Sequence, residues 1–215
     1  MGTTKTGLTA AAVVALAVTL TGAGAGTAAA TPSAATTAST ASCGAEPERS
    51  DAYAATLPIV HFGQSGTFVL GLQKALEWEG YKLAGTGNFG PATLHAVRDY
   101  QRKHRVPDTG VADPATWREL VGSKPPSLTG QGVQFPIPAP LLPGAPEVGE
   151  LFNMLQRIPP YMYNLPTEEQ GYGPRWQAMV RNFQRHNGIP ADAVVGENTW
   201  RALITVISMS GGWGC

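Results

Sequence analysis

The chain has 215 residues, 43% of them hydrophobic, and its 15 Lys+Arg are balanced by 15 Asp+Glu. With no net charge it has no basic field to steer nucleic acid or anionic lipid, so neither is an expected partner.

In chain order, Lys5 precedes an apolar run from Leu8 to Leu20, and small residues follow down to Ala28-Ala29-Ala30. A basic start, a short apolar middle and an A-x-A exit predict a cleavable secretory signal over 1–30. The Ala-rich run is shorter than the about 20 apolar residues that span a bilayer, which argues against a membrane anchor. Cleavage removes Lys5 alone, leaving 14 basic against 15 acidic residues. Residues 31–56 open on an Ala/Thr/Ser-rich stretch without apolar period and read as a disordered tail. A patterned stretch spans 57–122. Residues 123–147 hold Pro125, Pro126, Pro136, Pro138, Pro140, Pro143 and Pro146. Proline lacks an amide proton and fixes φ, so this segment reads as a semi-extended linker. A second patterned stretch spans 148–208, and 209–215 is a Gly/Cys tail.

The two stretches are copies of one another at a constant offset of 83 residues. Leu72-Gln73 matches Leu155-Gln156, Phe89-Gly90-Pro91 matches Tyr172-Gly173-Pro174, and Tyr100-Gln101-Arg102 matches Phe183-Gln184-Arg185. Thr116-Trp117-Arg118 matches Thr199-Trp200-Arg201, and Leu120 matches Leu203. No insertion is needed between Leu72 and Leu120, which marks a duplication.

Each copy predicts three short helices, giving an all-α fold. Val69, Leu72 and Leu76 share one face of the first helix, which ends near Gly80. Gly90-Pro91 opens the second, because proline at the first helical position wastes no hydrogen bond. Leu94, Val97 and Tyr100 form its buried stripe. Asp113-Pro114 opens the third, with Asp113 as cap, and Trp117 and Leu120 face the core. In copy two Phe152 and Leu155, then Met179, Val180 and Phe183, then Trp200 and Leu203 take these places.

Cys43 and Cys215 are the chain's two cysteines and flank both copies. In an exported chain they are expected to form a disulfide. A loop that long contributes up to about 5 kcal/mol in the chain-entropy model.

In copy one Gly63, Gly66, Val69, Leu72-Gln73, Leu76, Gly80-Tyr81, Gly87, Phe89-Gly90-Pro91, Thr93, Ala96-Val97, Tyr100-Gln101, Val106-Pro107, Thr109-Gly110, Asp113 and Thr116-Trp117 together resemble the peptidoglycan-binding domain family. The resemblance covers nearly the whole module, with Thr86 where the family usually has Asp. Copy two is more degenerate: Pro159-Pro160 shorten its first helix, Trp176 replaces Thr93, Asp192-Ala193 replace Thr109-Gly110, and Gly196 replaces Asp113. The resemblance implies a secreted, wall-associated protein that binds peptidoglycan or a related glycan or peptide, without a cofactor, with a wall-active enzyme as a further candidate partner. The same fold resembles the prodomain of matrix metalloproteases, where a cysteine just after the module caps a zinc. That leaves a second reading, an interaction module or inhibitor acting through Cys215.

The candidate ligand-binding residues are Asn88, Thr93, Gln101, Tyr161, Tyr163, Trp176 and Gln184. Gln101 and Gln184 either face a ligand or tie a helix to a neighbouring backbone carbonyl. Tyr161 and Tyr163 either stack on sugar rings or fill space left by the shortened helix. Trp176 marks a contact between the copies or a binding wall. His61, His95, His104 and His186 form no H-E-x-x-H or other zinc spacing, and no G-x-S-x-G occurs. With no catalytic constellation and no stretch left for a catalytic domain, the expectation is a protein that is not an enzyme.

Overall fold

A computed structural model describes residues 49–131, 134–159 and 161–214. The expected signal over 1–30, Cys43 and Cys215 lie outside these residues. The described chain is helical: α1 Asp51–Ala54, α2 Thr67–Trp78, α3 Pro91–Lys103, α4 Pro114–Leu120, α5 Pro126–Thr129, α6 Gly149–Leu155, α7 Pro174–His186 and α8 Glu197–Ser210, with a 3-10 turn at Tyr161–Tyr163. Copy one is α2, α3 and α4; copy two is α6, α7 and α8.

Local chemistry sets the helix starts. Pro91 and Pro174 each occupy the first turn behind an extended glycine, Gly90 or Gly173. Asp113 caps α4 by accepting from the Thr116 amide at 2.8 Å. Gly196, its counterpart, has no side chain to do so, and α8 starts uncapped. The stripes named above bury Leu72, Leu76, Val97, Tyr100, Trp117 and Leu120 in copy one, and Leu155, Val180, Phe183, Trp200 and Leu203 in copy two. Phe152 and Met179 are only partly buried and pack on the edge of the second core.

The structure extends the duplication upstream. Trp117 Nε1 donates to the Pro58 carbonyl at 2.8 Å, and Trp200 Nε1 to the Ala139 carbonyl at 3.3 Å. Val60 bridges Ala112 and Leu141 bridges Val195. Here the offset is 81 rather than 83, so copy two has two extra residues before its first helix. The second half of the Pro-rich segment thus forms the opening strip of copy two. Leu141 lies between Pro140 and Pro143 and has the amide that a bridge requires; it exchanges both backbone bonds with Val195. The first half is not purely extended either. Pro126, in a first turn where its missing amide costs nothing, opens the short α5. Residues 49–56, read with the disordered tail, are ordered: Ser50 is buried, its amide donates to the Lys124 carbonyl at 3.0 Å, and its hydroxyl lies 2.6 Å from that of Thr129.

α8 decides how the copies meet. It begins at the position equivalent to the start of α4 but runs 14 residues instead of 7. After Leu120 come Gly122, Pro125 and Pro126, which halt the helix; after Leu203 come Ile204, Thr205, Val206 and Ile207, which continue it. The added turns lie along α2. Met209 of α8 joins the core of copy one, and Leu70 of α2 joins that of copy two. Gly71 permits the approach, since a Cβ there would stand 2.4 Å from Met209 Sδ. Gly87, at φ +69°, lies so close to the end of α7 that a Cβ would fall 1.8 Å from the His186 carbonyl oxygen.

Candidate functional site

Among the candidate residues, several are committed to the fold. Gln101 is fully buried. Its amide nitrogen donates to the Val111 carbonyl and the Thr116 hydroxyl, both at 2.9 Å, and its oxygen accepts from the Gly110 amide at 2.9 Å. Gln184 repeats the arrangement with the Val194 carbonyl at 2.9 Å, the Thr199 hydroxyl at 3.3 Å and the Ala193 amide at 3.0 Å. Of the two readings of these glutamines, the structure has the backbone tie. Ala193 keeps the left-handed conformation of Gly110, φ +64° against +69°, although it carries a Cβ.

Thr93 is buried and accepts from Gln73, which also holds the Asn88 carbonyl and the Gly87 amide. In copy two this polar tie is gone. Trp176 occupies the core in place of Thr93 and meets Phe152 edge-on, with ring centroids 6.4 Å apart. It is buried in the core built around copy two and forms no exposed wall. Tyr161 is also buried, edge-on to Phe183, and its hydroxyl donates to Asn182 at 3.0 Å; burial pushes its phenol well up. Asn88 and Tyr163 are exposed, the latter at 76%.

Tyr163 faces a groove of about 590 Å³. Copy one lines it with Trp78, Tyr81, Lys82 and Leu83, at and beyond the end of α2, and copy two with Pro159 and Tyr163. Trp78 is 52% exposed. Sequence reasoning passed over it, yet it left a signal: it is an aromatic residue out of phase with the Val69, Leu72, Leu76 stripe. Tyr81 is held by its hydroxyl, which donates to Asp99 at 2.9 Å, and Lys103 lies over its ring at 5.1 Å. The Glu77 carboxylate beside the groove is 2.6 Å from the fully buried Lys74 ammonium. Flat aromatic faces on an open groove suit a ring ligand with apolar C–H faces. Among the described residues no group of three or more His, Cys, Asp or Glu is placed to hold a metal, and no helix is long and apolar enough to cross a membrane.

Residues 65–120 and 144–203, more than half of the chain, match the family described as "Putative peptidoglycan binding domain". Among curated proteins the chain is 28% identical over 165 residues to the N-acetylmuramoyl-L-alanine amidase CwlL of Bacillus licheniformis, covering 69% of this chain and 46% of that protein. It is 25% identical over 166 residues to a second protein of that organism, named "Probable N-acetylmuramoyl-L-alanine amidase", covering 69% and 45%. The chain thus spans about half the length of the curated relatives it matches. The expectation that the chain is not an enzyme is overturned by these relatives, both of which carry an amidase name. That expectation rests on the absence of short motifs and of a stretch for a separate catalytic domain, and catalytic side chains can be far apart in sequence. The match in both halves establishes that this chain belongs to the peptidoglycan-binding domain family, with two copies in tandem.

Proposed function

We propose that this chain is exported and attaches to peptidoglycan, with the groove between Trp78 and Tyr163 as the surface that meets the glycan. The observation that carries the reading is the family match in both copies. The groove supports it, because exposed aromatic rings from both copies converge there. The amidase names of the relatives support a place in the hydrolysis of wall amide bonds. The signal-like segment supports export, with a mature chain beginning near Thr31, and the two cysteines support a Cys43–Cys215 bridge.

The test is co-sedimentation of the mature protein with purified sacculi. Retention is expected to persist at moderate salt, because ring stacking is not screened as charge pairing is. Trp78→Ala with Tyr163→Ala is expected to release the protein while leaving stability within about 0.5 kcal/mol, since both side chains are exposed. A wild-type protein that stays in the supernatant overturns the reading. A turbidity trace in the same tubes reports hydrolysis of the wall.

A further inference from the structure

Copy two has an opening of its own, about 330 Å³, lined by Tyr161, Asn164, Arg175, Met179 and Asn182. At the 83-residue offset the same positions in copy one are Trp78, Tyr81, Ala92, Ala96 and Asp99. The exchange removes a carboxylate and adds a guanidinium.

Copy one shows what the carboxylate does there. Asp99 accepts from the Tyr81 hydroxyl at 2.9 Å and pairs with Lys103 at 2.7 Å and Arg102 at 3.5 Å. Its hydrogen bonds with Lys103 and Tyr81 hold its carboxyl below the usual range. Copy two keeps the basic positions, as Arg185 and His186, and adds Arg175, but has the neutral Asn182 in place of the aspartate. The Tyr161 hydroxyl donates to Asn182 Oδ1, which leaves the Asn182 amide nitrogen as a donor. Glu169 is spent on the backbone amides of Arg175 and Trp176. Among the described residues neither the Arg175 nor the Arg185 guanidinium is in an ion pair. Copy two therefore has a set of donors and cations without the internal carboxylate that its counterpart supplies.

We propose that this pocket binds the terminal carboxylate of a short peptide, with the Arg175 guanidinium and the Asn182 amide as donors and Met179 against the peptide's side chain. A guanidinium fits a carboxylate in two parallel bonds, and the thioether gives an adaptable apolar wall. The proposal rests on the peptidoglycan reading, in which the wall offers peptide as well as sugar. The two sites then divide the polymer: the aromatic groove meets the glycan and the polar pocket meets the peptide.

The experiment uses the whole mature chain labelled with nitrogen-15 and titrated with dialanine, with its C-terminal amide, and with glucuronate. Dialanine is expected to shift the side-chain resonances of Arg175, Asn164 and Asn182 saturably, while the other two probes do not. Arg175→Ala and Asn182→Asp are each expected to weaken dialanine binding about tenfold or more. The second variant restores copy one's carboxylate, which repels the ligand. Unchanged indole resonances of Trp117 and Trp200 report that both variants keep their cores. Equal shifts with acid and amide, no saturable shift, or variants that bind as the wild type does overturn the proposal; equal shifts with glucuronate overturn the peptide assignment. Wild-type protein that pellets with sacculi yet ignores dialanine sinks the pocket and leaves the wall reading standing. Protein that binds dialanine but not sacculi does the reverse.

Discussion

In copy one the third helix ends after 7 residues, and in copy two its counterpart, starting at the equivalent position, runs for 14. The first helices are unequal in the opposite sense, 12 residues in α2 and 7 in α6. Each copy is long where the other is short, and the two long helices, α2 and α8, pack on each other. What both copies keep is the glutamine on the second helix that holds the turn before the third. What they exchange is the inside of the first helix, a polar Gln73–Thr93 tie against an aromatic Trp176–Phe152 contact. Duplication here has kept the glutamine that holds the turn before the third helix and has replaced the polar tie beneath the first helix by aromatic packing.

The strongest way to break the contrast is to give α8 the stop that α4 has. Thr205→Pro removes a hydrogen bond in mid-helix and is expected to cost about 3 kcal/mol or more. Calorimetry of the variant is expected to show two transitions in place of one, as the cores lose their shared wall. A variant that still melts in a single step would mean that the copies are coupled elsewhere. Gly87→Ala attacks the second contact between them. It adds a Cβ at positive φ against the His186 carbonyl, and its expected cost is about 2 kcal/mol or more by chemical denaturation.

The conserved tie is tested by Gln101→Ala and Gln184→Ala. Each strands a buried backbone amide, that of Gly110 or Ala193, at about 1–3 kcal/mol, and the two costs are expected to be alike. A much smaller loss in copy two would show that strain at Ala193 already offsets its bonds. The smallest effect concerns pH. Burial, followed by the Arg185 and Lys74 charges, holds the His186 imidazole below its ordinary 6.5. Below that pH the unfolded chain takes up a proton that the folded one resists, so stability falls as pH falls through 6.5. Melting curves at successive pH values are expected to show the decline, and His186→Gln to lessen it.

Much of this was legible in the sequence. The apolar stripes, the Gly-Pro and Asp-Pro helix starts and the 83-residue repeat predicted the three helices of each copy, because period and capping are local properties. Gln101 and Gln184 were found but left undecided, since a glutamine that serves a backbone carbonyl and one that serves a ligand look alike in one dimension. Trp78 was overlooked because its partner in the groove, Tyr163, is 85 residues away. The prolines around Ala139–Leu141 predict linker, and only the Trp200 and Val195 bonds reveal that this segment opens copy two.

The sequence by itself determined that there are two modules, that they are helical and which faces they bury, because side-chain periodicity and proline chemistry act within a few residues. Only the tertiary structure decided that the modules form one packed body, with Met209 and Leu70 exchanged between cores and a groove that neither copy lines alone. Those contacts depend on where two distant helices cross, and glycines such as Gly71 and Gly87 reveal their purpose only when the neighbour that needs the space is in view.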